Sequence, residues 1–301
     1  MKKLSIVIPC YNSDDCFDFL ISECDKLNQL LEQKILVEYV LVNDGSTDDT
    51  WNEMLRFKSL IPNTSVVQLT GNFGSYAAFL AGLAQANGDC FAQLHTDLQD
   101  PPNSIPMMVD YWQNGIKLVI GQRTKREESK TTLFFANIYH KMIKSIALSH
   151  IPEGGYDLIL FDKELRDLVV GLNESNINLV YLISSFKHPF VTIPITRVRR
   201  PSGRSGWTLK RKFKLVIDSL VGFSYFPIQI LSLIALIFFL GTIVSLILLF
   251  GGVSTLKLLL LTILASAFLL SVMLVIVGEY LWRTLEATRK RPPYVIDKVI
   301  K

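Results

Sequence analysis

Through the first half of the chain, short apolar runs alternate with amphipathic ones. Residues 4–10, 35–42, 65–69, 90–94 and 117–121 are runs of strand length bounded by turn-forming residues, and they predict buried strands. Between them Phe17, Leu20, Ile21, Cys24, Leu27 and Leu31 recur at helical spacing, as do Tyr76, Phe79, Leu80 and Leu83. This βαβα order predicts an α/β domain with a mostly parallel, wound sheet, whose ligands bind at the carboxyl ends of the strands. Asn12, Asp44, Asn72, Asp97 and Arg123 all follow such strand ends, so residues far apart in sequence are expected to meet in space.

The second half is less regular. Residues 137–148 and 163–172 read as helices and 190–198 as a strand, followed by a basic, glycine-containing loop over 199–206. Residues 226–250 and 258–278 carry no charged side chain, and each exceeds the roughly 20 residues needed to cross a hydrocarbon core. Only residues 251–257 separate them, which predicts a tight helical hairpin with both ends on one side. The expected organisation is a globular domain over 1–207, an amphipathic juxtamembrane helix over 208–224 that includes Phe213, Leu215, Val216 and Leu220, two transmembrane helices over 225–281, and a basic tail over 282–301.

Charge sets the expected orientation. Lys210, Arg211, Lys212 and Lys214 precede the first span and Arg283, Arg289, Lys290 and Arg291 follow the second, whereas the linking loop offers Lys257 alone. The positive-inside rule therefore puts the bulk of the chain and both termini in the cytoplasm, as a multi-pass protein of the cytoplasmic membrane. The net charge of +4 argues little for nucleic acid, because the basic residues concentrate where anionic headgroups lie. Nucleic acid is accordingly not an expected partner. The apolar stretch after Lys2-Lys3 is cut too short by Pro9, Asn12, Asp14 and Asp15 for a signal peptide. Cys10, Cys16, Cys24 and Cys90 show neither metal spacing nor a disulfide framework, and read as reduced thiols.

Chemistry concentrates in two acidic turns. His95-Thr96-Asp97-Leu98-Gln99 follows the apolar run at 90–94, so a buried strand delivers Asp97 to the sheet edge. A nucleoside diphosphate leaves readily only when its developing charge is neutralised, usually by a divalent cation on oxygen ligands. Asp97 and the amide of Gln99 are candidate ligands, and their alternation puts both on one face if the segment is extended. The alternative is that Asp97 caps a turn before Pro101-Pro102, a part that Asp100 fits better. In Asn43-Asp44-Gly45-Ser46-Thr47-Asp48, Asp44 can accept hydrogen bonds from a base or ribose while Gly45-Ser46 permits close backbone approach; equally, the segment can be a turn and helix cap. Either Thr47 or Asp48 is expected to cap a helix beginning near Asp49. Gly74-Ser75 opens a helix but lacks the lysine of a phosphate-binding loop.

Taken together, Ile8-Pro9-Cys10-Tyr11-Asn12, Asn43 through Asp48, Gly71-Asn72-Phe73-Gly74, Asp97 through Pro102 and Gly278-Glu279-Tyr280-Leu281 resemble the polyprenyl-phosphate glycosyltransferases, a group that includes bactoprenol glucosyltransferases and dolichyl-phosphate mannose synthases. The likeness runs from about Leu4 to the C-terminus. It implies a GT-A fold (the nucleotide-diphospho-sugar transferase fold) and transfer of one hexose, UDP-glucose being the leading donor, to undecaprenyl or another polyprenyl phosphate for cell-envelope glycan modification. It further implies a nucleotide-sugar site at Pro9, Tyr11, Asn12, Asp44, Asn72, His95, Thr96, Asp97 and Arg200, and Mg2+ or Mn2+ on Asp97 and Gln99, with His95 as a further candidate ligand. Catalytic parts fall to Asp97, to Arg123 near phosphate, to Asp157 near the sugar or reaction centre, and to Arg200 on a loop that covers the diphosphate.

The chain departs from the family pattern at His95, where an aspartate is usual, at Asn43, an acid, at Ser13, a glutamate, at Ile159, an arginine, and at Gly206, a lysine. The site is thus less acidic than the pattern implies. The expected reaction is inverting: a lipid phosphate oxygen, already ionised near neutral pH, attacks the anomeric carbon without a strong general base. A donor carrying N-acetylglucosamine, galactose or mannose, a noncatalytic nucleotide-binding membrane scaffold, a processive polysaccharide synthase and a transporter subunit are the rivals. The synthase would carry Gln-x-x-Arg-Trp and more spans, and the transporter buried intramembrane charges; the chain has neither. Two spans offer little membrane surface, which leaves self-association open.

Overall fold

The computed structural model describes residues 1–125, 158–172, 182–183, 185–196, 255–289 and 291–301, with scattered positions between 229 and 244. The chain divides into two units, Met1–Lys212 with Pro292–Lys301, and Phe213–Arg291.

The first unit is built on an 8-stranded sheet. Its strands and helices follow in the order β1 (Lys3–Cys10), α1 (Phe17–Leu31), β2 (Leu36–Asn43), α2 (Thr50–Leu60), β3 (Thr64–Leu69), α3 (Ser75–Gln85), β4 (Cys90–Gln93), α4 (Ile105–Gln113), β5 (Leu118–Lys125), β6 (Ile159–Asp162), α5 (Lys163–Gly171), β7 (Val191–Thr196) and, after the second unit, β8 (Ile296–Ile300). Spatially the strands run β7-β5-β6-β4-β1-β2-β3-β8. β1, β2, β3 and β4 are mutually parallel where they pair, as the alternating apolar pattern requires, and β5 pairs parallel with β7. β6 and β8 run antiparallel to their neighbours.

Burial follows the expected periodicities. α1 buries Phe17, Leu20, Cys24, Leu27 and Leu31, a stripe at three- and four-residue spacing that faces the sheet. α3 is buried nearly all round from Ala77 to Leu83, and Gly82 explains how closely it lies on the sheet: a Cβ there would stand 2.3 Å from Val7 Cγ1. All four cysteines are free, and burial pushes the Cys10 and Cys90 thiols far up and Cys24 to about 12, which keeps these three protonated and unreactive.

The chain winds from β1 through β2 to β3 on one side and then crosses to place β4 on the other side of β1. Strand order thus reverses between β1 and β4, the position where wound sheets open a ligand crevice. Pro9 marks this opening. Val7 O accepts the Leu94 amide while Cys10 O accepts the Asp44 amide, so strand alternation turns Pro9 toward the β4 side. β4 pairs with β1 only as far as Val7, opposite Gln93; proline therefore omits an amide where no partner strand would receive it.

In the second unit, α6 (Thr255–Arg289) contains the one helix among the described residues long and apolar enough to cross a membrane. Its stretch Ala265–Trp282 is strongly apolar and unburied. Residues described within 229–244 are helical as well. A groove of about 400 Å³ in this unit is lined by Leu231, Ala235, Met273, Val277, Tyr280 and Thr284, among others, and is almost wholly apolar. The expected juxtamembrane helix at 208–224 and the helix at 137–148 lie outside the described residues.

Candidate active site at the reversal of strand order

Three loops meet at the carboxyl edge of β1, β2 and β3. Asn12, at φ 44, donates its amide to Ser46 Oγ at 3.0 Å and accepts the Thr47 amide on its side-chain oxygen at 2.9 Å. Ser13 N donates to Thr50 Oγ1 at 2.8 Å, tying the same loop to the start of α2. The loop after β1 is thereby stitched to the turn after β2. Asp48, rather than Thr47, serves the helix: its Oδ1 accepts the Thr50 amide at 3.1 Å. Burial opposes ionisation of Asp48, but bonds from the Thr50 hydroxyl and amide and from Asp14 outweigh it and hold the carboxyl below the usual aspartate range.

On its other flank, the turn after β2 grips the loop after β3. Asp44 is only 2% exposed; Oδ1 accepts the Phe73 amide at 2.7 Å and Oδ2 the Gly74 amide at 2.9 Å. Burial raises its carboxyl above the ordinary value, and the two amides act against that rise. Gly45, at φ +67, lies so near this loop that a Cβ would stand 2.5 Å from the Gly71 carbonyl carbon. Gly74 caps α3 at φ 93 with no capping side chain of its own; Asp44 supplies the negative charge there. The amino end of α3 is consequently engaged by a carboxylate of the fold.

Across the reversal, the segment after β4 turns. Leu98 N donates to His95 O at 3.1 Å, and Leu98 takes φ 42 while its side chain is 3% exposed and packs in the core. A leucine in the left-handed region costs roughly 1–2 kcal/mol, which its burial offsets. This corrects the expectation of an extended segment. Asp97 and Gln99 are related by a turn, in which Gln99 N lies 3.4 Å from Asp97 Oδ1, and not by strand alternation. His95, Thr96, Asp97 and Gln99 are each half-buried, lining the edge without being sealed from solvent.

Among the expected site residues, Tyr11, Asn12, Asp44 and Asn72 are brought together around the turn after β2, with Tyr11, Asn12 and Asn72 exposed. Pro9 is buried within β1. Arg123 lies inside β5, paired with Ile195, rather than after its end, and β6 separates β5 from β4. Asp157 and Arg200 lie outside the described residues. Sequence reasoning missed the interlocking partners Ser46, Thr47 and Thr50, although polar residues crowded after two strand ends were a readable signal.

Asp97 and Gln99 suit a divalent cation in kind. A carboxylate and an amide oxygen are hard donors, and Mg2+ or Mn2+ at nucleotide sites takes one or two protein oxygens and completes its shell with phosphate and water. No group of three or more His, Cys, Asp or Glu able to cage an ion occurs among the described residues.

The sequence profile of glycosyl transferase family 2 matches residues 5–168, which span β1 through most of α5 and hold both acidic turns. The chain belongs to glycosyl transferase family 2. Within this family its relatives match it end to end. An uncharacterised glycosyltransferase of Bacillus subtilis strain 168 is 30% identical over 98% of this chain and 93% of its own length. A prophage bactoprenol glucosyl transferase homolog of Escherichia coli K12 is 28% identical over 99% and 100%, and an undecaprenyl-phosphate 4-deoxy-4-formamido-L-arabinose transferase of Yersinia pestis 29% over 100% and 94%. Two of these relatives are named for bactoprenol or undecaprenyl-phosphate transfer, in line with the family that the sequence resembles. Among solved structures, glucosyl-3-phosphoglycerate synthase of Mycobacterium tuberculosis with Mn2+ and UDP-glucose aligns at TM-score 0.51 and 17% identity, covering 73% of this chain and 77% of that one. A mannosyltransferase of Pyrobaculum calidifontis with GDP-mannose and Mn2+ aligns at 0.50 and 15%, covering 96% and 86%. At such identities the likeness establishes the GT-A fold.

Proposed function

We propose that this family 2 glycosyltransferase moves one hexose from a nucleotide sugar to a polyprenyl phosphate at a membrane surface, with inversion at the anomeric carbon. The observation that carries this reading is the Asp97 turn at the reversal of strand order, in a chain whose full length, apolar C-terminal segment included, matches relatives named for undecaprenyl-phosphate and bactoprenol acceptors. Pro9, Tyr11, Asn12, Asp44 and Asn72 form the nucleoside side of the crevice, and His95, Thr96, Asp97 and Gln99 the diphosphate side. Asp44 takes up the Phe73 and Gly74 amides just before the first turn of α3, and the diphosphate charge is assigned to a cation and to arginines.

Asp97 and Gln99 would hold Mg2+ or Mn2+, which when bound supplies positive charge to the departing diphosphate. The acceptor phosphate enters already ionised, so the protein's own part is mainly to position two substrates and exclude wrong geometries. Arg123 and Arg200 are assigned to diphosphate charge, and Asp157 to orienting the sugar or acceptor. UDP-glucose is the leading donor.

Chain connectivity supports a paired crossing. Residues before 213 and after 291 belong to one folded unit, so a segment between them that enters a membrane must cross it an even number of times. The apolar run at 226–250 supplies the partner for α6. The groove at Ala235 and Met273 offers room for part of an isoprenoid chain. The basic flanks favour a cytoplasmic catalytic unit. To test the reading, membranes carrying the protein are incubated with labelled UDP-glucose, other UDP-sugars or GDP-mannose, and undecaprenyl phosphate. A lipid-linked β-hexoside from an α-linked donor is expected; absence of lipid-linked product with every donor would refute it.

A further inference from the structure

Two side-chain amides lie between backbone groups of fixed polarity at the ends of β2 and β3. Gln68 Nε2 donates to Leu69 O at 3.0 Å, and Gln68 Oε1 accepts Asn43 Nδ2 at 2.8 Å. Asn43 Oδ1 in turn accepts the Ser46 amide at 3.0 Å, which closes the turn after β2. Leu69 O can only accept and Ser46 N can only donate, so each side chain is held in one orientation, amino group toward Leu69 and oxygen toward the turn. Asn43 is buried, Gln68 is half-buried, and the two stand opposite each other in the parallel pairing of β2 and β3. Leu69 lies where the register between β3 and β8 slips by one residue, with Gln68 opposite Lys298 and Leu69 opposite Ile296. The turn closed in this way carries the contacts of both neighbouring loops: Ser46 Oγ accepts the Asn12 amide at 3.0 Å, and Gly45 meets Gly71 with no room for a Cβ.

We propose that Asn43 and Gln68 are positioning residues of the donor site, a directional pair of amides that fixes the turn after β2 and works only with a neutral residue at position 43. This rests on the nucleotide-sugar reading above. Neither side chain needs to touch the ligand; both act through Ser46. An ionised aspartate at 43 would have no proton to give Gln68. The glutamine would then have to turn its amino group toward position 43 and set its own oxygen against Leu69 O, leaving a buried polar group unmatched.

The test uses the full-length protein in detergent with Mn2+ and measures calorimetric affinity for UDP and GDP from about pH 5.5 to about pH 8, each variant read as a ratio to wild type at the same pH. Asn43→Asp should weaken the tighter nucleotide roughly tenfold at the upper pH. The deficit should shrink on acidification, because a protonated carboxyl can donate to Gln68 Oε1 and still accept the Ser46 amide. The titratable groups around the position are Cys10 opposite it on β1, Asp44 and Asp48 in the same turn, and Lys298 opposite Gln68 on β8; all are shared with wild type, so the ratio reads position 43. Combining Asn43→Asp with Gln68→Lys should regain affinity over Asn43→Asp alone at the upper pH, since an ammonium donates to the carboxylate and to Leu69 O together. Gln68→Met, which frees the Asn43 amide to turn, should lose affinity with a ratio constant in pH. Full affinity of Asn43→Asp at the upper pH, a deficit that does not change with pH, or a double variant no better than Asn43→Asp overturns the proposal. A lower melting temperature with unchanged affinity overturns it as well, because the pair would then serve stability only. If Asn43→Asp does not fold, Gln68→Met decides alone, and wild-type affinity there refutes the positioning role. A wild-type protein that binds neither UDP nor GDP would instead sink the functional reading on which this one stands.

Discussion

Single residues set the shape of the site through a few contacts with large consequences. Gly45 occupies a left-handed conformation with no room for a Cβ, so Gly45→Ala is expected to lower stability by about 2–4 kcal/mol and to loosen nucleotide binding, measurable by chemical denaturation and calorimetry. Asp48 and Asp44 respond to acid with opposite sign. Because the folded state lowers the Asp48 pKa, its contribution is present above the ordinary aspartate pKa and is lost as pH falls through the lowered value. The stability gap between wild type and Asp48→Asn should therefore narrow on acidification, as read by urea unfolding at several pH values. Asp44, raised by burial, gains relative stability as pH falls through its raised value. Much of this was legible: both acidic turns follow from residue type and position, whereas the cap was left between Thr47 and Asp48, and the structure puts Asp49 at the N-cap position with Asp48, the residue before it, accepting the Thr50 amide. What sequence could not show is that Asp44 faces inward, because an Asp-Gly turn reads the same whether its carboxylate meets a ligand or a neighbouring loop. Nor could spacing reveal the left-handed Leu98, whose conformation is imposed by burial of its side chain.

Among elements, the central strands were readable as apolar runs of strand length, α1 and α5 by one buried face at helical spacing, and α3 by apolar residues at that spacing although it is buried nearly all round. β6 and β8 were not. β6 is a four-residue strand, Ile159–Asp162, wedged between β4 and β5, too short for a periodic signal. β8 follows a basic stretch that hydropathy reads as a tail, yet Val66, Val67, Gln68 and Leu69 pair with Ile300, Val299, Lys298 and Ile296. Lys298 Nζ also lies 4.5 Å from the Trp51 ring centroid, and Val295 O accepts the Thr70 amide at 3.0 Å. Long-range partners of this kind leave no trace in local pattern. Deleting residues 292–301 should expose the β3 edge and cost about 2–4 kcal/mol, at roughly 1 kcal/mol per ladder bond, with aggregation on heating as the accompanying readout. A truncated protein with unchanged unfolding would show β8 to be dispensable.

For the whole molecule, residues 292–301 belong to the first unit together with residues 1–212, and the proposed membrane segment between them would have both ends on one side. Cysteine-accessibility labelling in intact cells should find single cysteines introduced at 208 and 292 on the same face, and one at 254 on the other. Residues 208 and 292 on opposite faces would break the paired crossing. The claim beneath all of this is that Asp97 serves transfer of a hexose to a lipid phosphate. Its most direct measurement is the rate of lipid-linked hexose formation by Asp97→Asn, purified and matched to wild type in circular dichroism and melting temperature, with the donor that the wild-type protein uses. A loss of about a hundredfold or more is expected; a rate within twofold of wild type would contradict the account.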